Sequence, residues 1–361
     1  MTKILPLHDL YSDYLIVNQG AATAVGLSAM IEGQVSHDAI TRCLHKDDYG
    51  SAQLWQAVKP LVRELDPKNA FLIVDDTLDE WPCLQSNPIV GYHYDHCQGR
   101  RLQGINQLNA LYYCQSVSLP VAYEVIHKDQ PVVDAKTGKP RYVSRHSKHQ
   151  LLPQMVGRCL INGLTFEYVP ADKWYACSDT FTFLHQQACQ FIMPLKANRL
   201  VAVGPQPPAV GEHRPISELV IEPHQTLVVW LKGVSFPLTA IKQVLKDGDP
   251  ASEVRYLVSN DLTADAHTLS TAYSHRWQVE QLHKSTKSNT GYGQSPAHRV
   301  RSQKTHIFLS MLAYVKLESI KLTTHKNHFA LKGILALDAL KVAYRHWQDM
   351  KTLLNPLLKA A

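Results

Sequence analysis

NAFLIVDDTLDEW, residues 69–81, carries an unbroken apolar run from Ala70 to Val74 and then two carboxylates, Asp75 and Asp76. Five consecutive apolar residues bounded by polar ones read as a strand buried on both faces, and that strand ends on the acids. Carboxylates at the end of a core strand are presented at the rim of the sheet. Side chains alternate along a strand, so only one of the pair points into a given site. A second stretch, LTFEYVPADKWYACSDTFTFL (164–184), has the same form: a short strand reaches Asp172, and a helix begins near Ser178.

The third element is TAYSHRWQVEQLHKSTKSNTGYG (271–293), in which Tyr273, Arg276, Glu280 and Lys287 stand as Y-x2-R-x3-E-x6-K. On one continuous helix these four fall within an arc of roughly 60°, with Lys284 on the same face and Val279 and Leu282 opposite. From His275 to His306, Glu280 is the only acid among Arg276, Lys284, Lys287, Arg299, Arg301 and Lys304. Such a surface suits a polyanion beside a metal-held carboxylate. The plainer reading is a solvated helix on which Glu280 pairs with Arg276 and Lys284. Three acids on two strand ends and a helix suit hard divalent cations, which take oxygen ligands and leave positions for substrate phosphate.

These segments together resemble the DDE transposases of bacterial insertion sequences, in particular the type-4 family marked by a Y-R-E-K signature. The likeness runs over roughly residues 65–320, through FLIVDDT, ADKWYACSDTFTFL with FIMPLKANRL, and YSHRWQVEQLHKSTK. It implies a metal-binding catalytic triad of Asp76, Asp172 and Glu280, with Asp75 and Asp179 as the neighbours that compete for the first two places. It further implies that Tyr273, Arg276 and Lys287 grip DNA phosphates, with Lys284, Arg299 and Arg301 on the same basic surface. The implied reaction is Mg2+-dependent cleavage at element ends followed by strand transfer, Mn2+ substituting, with two subunits pairing the ends in a synaptic complex. The implied fold is a ribonuclease H-like α/β core with a β-rich insertion between the second and third acids.

The rest of the chain is compatible with that expectation. Its 361 residues are 45% apolar and 19% charged, enough for one large core and smaller modules. The net charge of +6 is modest for a nucleic-acid binder, but the basic residues cluster. No apolar run reaches membrane-spanning length and the first residues lack a signal-peptide pattern, so the expectation is a cytoplasmic, nucleoid-associated protein. Seven cysteines without a C-x-x-C read as reduced thiols. No Walker A loop, G-x-G-x-x-G fingerprint or G-x-S-x-G elbow is present, which argues against nucleotide-driven or serine-hydrolase chemistry.

Four regions are expected: a helical module over 1–65, a first core segment over 66–199, the β-rich insertion over 200–262, and a second core segment over 263–361 that carries the signature and C-terminal helices. In the first, Ser36 reads as a helix N-cap and a further helix opens on Ser51; Thr41 and Arg42 face DNA if the helices form a helix-turn-helix-like unit, and a helical packing module without DNA contact is the equal alternative. In the second, strand and helix signals alternate as in a mixed sheet flanked by helices. On residues alone, the third reads equally well as continuation of the main sheet. The basic stretch KTGKPRYVSRHSKH, with Lys136, Lys139, Arg141, Arg145 and Lys148, suits a loop tracking a DNA backbone. Lys196 and Arg199 lie at a strand end beyond Asp172. His93, Asp95 and Cys97 alternate along one strand, a weak pattern for zinc. Trp277 packs at a helix edge or stacks on a base. Two other functions share these features: a structure-specific nuclease of the same fold, and a non-catalytic DNA-binding protein derived from a transposase.

Overall fold

The computed structural model of the protein describes residues 6–81, 86–95, 99–133, 135, 138–209, 211–222, 225–245 and 253–358. Four helices come first, α1 (Pro6–Val17), α2 (Ala24–Met30), α3 (His37–Lys46) and α4 (Ser51–Glu64). Strands β1 (Phe71–Glu80), β2 (Gly91–Asp95), β3 (Arg100–Cys114) and β4 (Val117–Val125) follow, then the hairpin β5 (Lys128–Val133) and β6 (Pro140–Ser144). Helix α5 (Lys148–Ile161), β7 (Tyr168–Pro170), α6 (Ser178–Gln186) and β8 (Gln190–Leu195) complete the middle of the chain. Beyond them lie β9 (Leu200–Val203), β10 (Arg214–Pro215), β11 (Leu227–Leu231), β12 (Leu238–Leu245) and β13 (Glu253–Ser259), then α7 (Ala266–Ser274), α8 (Trp277–Asn289), α9 (Val300–Thr324) and α10 (His328–Leu358). The chain divides into two compact units, Tyr49–His283 and Lys3–Asp48 with Lys284–Ala361. The fold is mixed α/β, consistent with a ribonuclease H-like core.

In the first unit, the strands join in the order β10-β9-β11-β12-β13-β8-β7-β1-β3-β2, with β4 also on β3. Antiparallel β3 accompanies β1 along its whole length, Phe71 opposite Tyr113 and Glu80 opposite Gly104. A Cβ at Gly104 would fall on the Asp79 carbonyl, so only glycine lets the two strands close there. On its other side β1 meets β7 in parallel, at Phe71 with Tyr168 and again at a bridge between Val74 and Ala171. Past that bridge the neighbours separate. The strand therefore does not end on Asp75 and Asp76, as the sequence suggested; it continues to Glu80, and the acids sit where its parallel partner leaves. Leu72, Ile73 and Val74 are wholly buried because helices and strands cover both faces at this point.

The β3–β4 turn places Gln115 and Ser116 at φ 51° and 68°, the left-handed pair that matches strand twist in a two-residue hairpin. The strands from residues 200 to 259 continue the same sheet, since β13 pairs antiparallel with β8 as well as with β12. Helix α4 opens on Ser51 as the sequence suggested, and Gly50 precedes it as the cap, its N–H donating to Gln53 Oε1 at 3.0 Å. Ser51 is the first helical residue, and its hydroxyl exchanges hydrogen bonds with the backbone of Tyr123, fixing α4 to β4. Ser36 does cap α3, accepting from the Ala39 N–H at 3.3 Å.

The second unit is built around α9, whose residues from Thr305 to Val315 are all buried and therefore apolar around most of the circumference. Helices α1 and α3 pack on it, so the first helices join the C-terminal ones rather than forming a module with α4. His306 is completely enclosed there: Nε2 lies 2.8 Å from the Gly291 carbonyl and Nδ1 lies 3.0 Å from the Tyr11 hydroxyl. A carbonyl only accepts, so Nε2 carries the proton and Nδ1 accepts from Tyr11. Burial lowers the His306 pKa from 6.5 to about 4. The unfolded chain then takes up a proton first on acidification, and the stability this histidine supplies above pH 6.5 is lost as pH falls toward 4. Between pH 7 and 5 the wild type should lose about 2 kcal/mol that His306→Gln does not lose, measured by urea unfolding at both pH values.

Candidate active site

Asp75 and Asp76 are adjacent on β1 and face opposite sides of the sheet. Their partners show which side is which. Asp75 Oδ2 accepts from Arg276 Nη1 at 3.0 Å, and the other arm of the same guanidinium lies 2.5 Å from Glu280 Oε1. On β3, the residue opposite Asp75 is Asn109, whose amide nitrogen is 3.0 Å from His283 Nε2 on α8. Gln107, also wholly buried, donates to Asn109 Oδ1 at 2.6 Å. The bridge between Val74 and Ala171 sets the register with the β7 chain, so the next residues, Asp75 and Asp172, fall side by side on one face. Asp75, Arg276 and Glu280 thus meet on the side of the start of α8, with Asp172 near enough to Asp75 to repel its charge.

Asp76 belongs to the other side. Its Oδ2 takes Lys148 Nζ at 2.5 Å and Asn106 Nδ2 at 3.2 Å, and its Oδ1 takes the Tyr175 hydroxyl at 2.6 Å. Lys148 opens α5, so this last cation of the basic stretch turns inward to a carboxylate; Arg141 and Arg145 are exposed, and Lys136 lies outside the described residues. Asn106, Gln107 and Asn109 could have been suspected from the sequence, as three polar side chains within the otherwise apolar stretch from Gly104 to Leu111. Nothing in the sequence points to Lys148 or Tyr175 as partners of Asp76.

The same burial has opposite outcomes for the two acids. Burial drives the Asp75 pKa up to about 7, against the pull of Arg276, with Asp76 and Asp172 adding repulsion. Burial also acts on Asp76, but Lys148 and the hydrogen bonds from Tyr175 and Asn106 outweigh it and hold the carboxyl below its ordinary value. Tyr175, buried against that carboxylate, is pushed far above the phenol range and remains a donor. Asp172 Oδ1 accepts the Trp174 N–H at 2.9 Å, capping a short 3-10 turn over Lys173–Tyr175. Asp179 is exposed in the first turn of α6.

The Y-R-E-K residues do not share one helix. α7 ends at Ser274, His275 and Arg276 form a turn, and α8 begins at Trp277, so the helical arc read from the spacing is interrupted. Arg276 in that turn spans two carboxylates, Asp75 and its i,i+4 neighbour Glu280. Tyr273 is 5% exposed, with Arg255 and Arg276 at 5.5 and 6.0 Å from its ring centre, and burial pushes its hydroxyl up to about 12. Val279 and Leu282 are buried as the spacing suggested, while Trp277 is 56% exposed rather than packed at the helix edge.

Lys284, Lys287, Arg299 and Arg301 fall in the second unit. There Lys284 Nζ lies 5.1 Å from the Phe329 ring, and Arg301 is exposed. Arg299 lines a cavity with Thr41, Arg42 and Lys46, so the two residues read from the sequence as DNA-facing, Thr41 and Arg42, share a surface with the cation that precedes α9. His93 lies on β2, held neutral by burial and by Lys128 and Lys148, while Cys97 is outside the described residues.

Among the described residues no three His, Cys, Asp or Glu side chains are close enough together to hold a metal ion in this arrangement. The donor chemistry nonetheless fits a hard cation: two carboxylates, Asp75 and Glu280, already share one positive group, the Arg276 guanidinium, and Asp172 stands beside Asp75. Asp75 should titrate near pH 7 in the metal-free protein, and the stability it supplies is full below about pH 3.8 and lost as pH rises through 7. Asp75→Asn should therefore raise the melting temperature at pH 8 in EDTA by at least about 2–4 °C and leave it nearly unchanged at pH 4. Equal shifts at both pH values would contradict a strained Asp75.

The sequence model of a family described as DDE superfamily endonuclease matches residues 7–244. The match takes in Asp75, Asp76 and Asp172 and stops short of the Y-R-E-K segment. No curated protein matches the chain.

Proposed function

Because the chain belongs to the DDE superfamily of endonucleases, we propose that it is a transposase that cuts the ends of an insertion sequence and joins the freed 3′ ends to target DNA. Family membership supports endonuclease chemistry on DNA. The type-4 assignment rests on the Y-x2-R-x3-E-x6-K spacing. The observation that carries the site is the Asp75–Arg276–Glu280 bridge beside Asp172.

In this reading Asp75, Asp172 and Glu280 would hold Mg2+, or Mn2+ in its place, and the position given to Asp76 by sequence likeness passes to Asp75. Bound there, such ions supply Lewis acidity and neutralise charge in phosphoryl transfer. Arg276 is the counter-ion that Asp75 and the half-buried Glu280 share, and its guanidinium would be placed to meet a substrate phosphate if those carboxylates held cations. Tyr273 fixes the guanidinium from behind. Asp76, saturated by Lys148, Tyr175 and Asn106, anchors β1 from the opposite face. Lys284, Lys287, Arg299 and Arg301 serve as phosphate contacts, and two copies pair two DNA ends. No described helix is long and apolar enough to cross a membrane, in keeping with action on DNA in the nucleoid.

Glu280→Gln and Asp75→Asn should cut terminal-repeat cleavage in Mg2+ by orders of magnitude while binding in EDTA persists or tightens. Asp76→Asn should be milder. If Asp76→Asn abolishes Mn2+ binding and Asp75→Asn does not, the first ligand is Asp76. A wild type that binds ends but never nicks them in Mg2+ or Mn2+ leaves a DNA-binding protein, and nicking without strand joining leaves a nuclease.

Arg276→Ala and Lys287→Ala provide a separate check, since each lost phosphate contact should reduce the salt slope of duplex binding by about 0.9. An unchanged slope in both variants would leave these cations as ordinary surface charge.

A further inference from the structure

Two polar ties join the start of α8 and the turn before it to the strand pair β1–β3, and they land on residues that face each other across the sheet. The first is Arg276 Nη1 on Asp75 Oδ2 at 3.0 Å. The second is Asn109 Nδ2 on His283 Nε2, also at 3.0 Å. Asp75 and Asn109 stand directly opposite in the ladder and so share one face. Glu280 lies between the two ties: it pairs with Arg276, and it is three residues from His283 on the same side of α8.

The ties differ in kind. Arg276 is held by Asp75 and Glu280, the same carboxylates that would hold a metal ion, so the first tie competes with that ion. The second draws on neither carboxylate. Gln107 donates its amide to Asn109 Oδ1 at 2.6 Å, which turns the Asn109 amide nitrogen toward His283; Nε2 therefore accepts, and the ring proton sits on Nδ1. Gln107 and Asn109 are wholly buried, so removing the acceptor leaves a buried N–H without its partner. We propose that His283 is a positioning residue for Glu280: its bond to Asn109 holds α8 against β3 and keeps the Glu280 carboxylate within reach of Asp75 once a divalent cation has taken the place of the Arg276 guanidinium. The proposal rests on the metal-binding role given above to Asp75 and Glu280 and adds to it a residue that acts through the helix.

The test is Mn2+ binding to the full chain without DNA, read as free Mn2+ by electron paramagnetic resonance, so that it does not depend on cleavage. His283→Leu should raise the dissociation constant about 10- to 100-fold, the range found when a group that orients a metal ligand is removed. His283→Gln puts an amide oxygen where Nε2 stands and should keep most of the affinity. Melting temperatures in EDTA report folding; if the Leu variant does not fold, His283→Asn, polar but too short to reach Asn109, takes its place with the same expectation. The loss should persist in an Arg276→Ala background, where the competing guanidinium is gone. A loss that vanishes there makes His283 act through Arg276 and overturns the proposal. Unchanged affinity in His283→Leu overturns it too, as does a Gln variant as weak as the Leu one, which makes ring packing the cause. Asp75→Asn and Glu280→Gln serve as references. If they abolish Mn2+ binding and His283→Leu leaves it intact, only the role of His283 falls; if they leave it intact, the metal site itself is misassigned and the role of His283 falls with it.

Discussion

The arrangement turns on the charge of one carboxylate, Asp75, buried where β1 loses its parallel neighbour. Removing a carboxylate from water costs several kcal/mol. One guanidinium at about 3 Å returns on the order of 5 kcal/mol at an effective dielectric near 20. That the Asp75 pKa still rises to about 7 shows that a single Arg276, shared with Glu280, does not fully compensate. The pocket is short of positive charge, the condition under which carboxylates bind cations. Local structure follows from the same need. Arg276 reaches Asp75 and Glu280 from the turn that follows Ser274, and the buried Tyr273 ring lies beside the guanidinium.

Asp76 shows what full compensation looks like one residue away. Lys148, Tyr175 and Asn106 arrive from three different elements, and together they outweigh the same kind of burial. Two adjacent acids thus have opposite electrostatic fates because strand geometry sends them into different neighbourhoods. The charge-deficient one is suited to a ligand and the saturated one to holding the sheet together.

How far the sequence revealed this depends on the range of each interaction. The core strand was legible because burial on both faces needs the continuous apolar run Ala70–Val74, and alternation already required the two acids to part. Which acid faces the signature was not legible: it depends on the register of Val74 with Ala171, nearly a hundred residues apart, which no local pattern records. The signature looked like one helix because the spacing in YSHRWQVE suits continuous helix, and nothing in His275 or Arg276 forbids it. The turn carries a tertiary contact, Arg276 with Asp75, that no local spacing records. Likewise α1 and α3 read as a module with α4 because they are contiguous in sequence, whereas their apolar residues meet α9 some 260 residues later. Residues 200–259 left two readings open, and the pairing of β13 with β8 makes them one sheet with the core.

Placement on strands rather than loops bears on how far the site can deform. The strand carrying Asp75 is held by β3 along its length, and Asn109 and Gln107 fill its face with a hydrogen-bonded pair that reaches His283. A wholly buried amide pair inside a sheet is stable only when satisfied, so it resists repacking and fixes the separation of β3 from α8. Asp172 is tied differently, at the first free residue after β7, with a backbone N–H capping one carboxylate oxygen and leaving the other available. Of the three acids, the most rigid is therefore the one with the raised pKa, and the less constrained ones, Asp172 and Glu280, approach from a turn and a helix start. In the proposed metal-binding role, closure around a cation would fall to Arg276 and the segments carrying Asp172 and Glu280 rather than to the sheet.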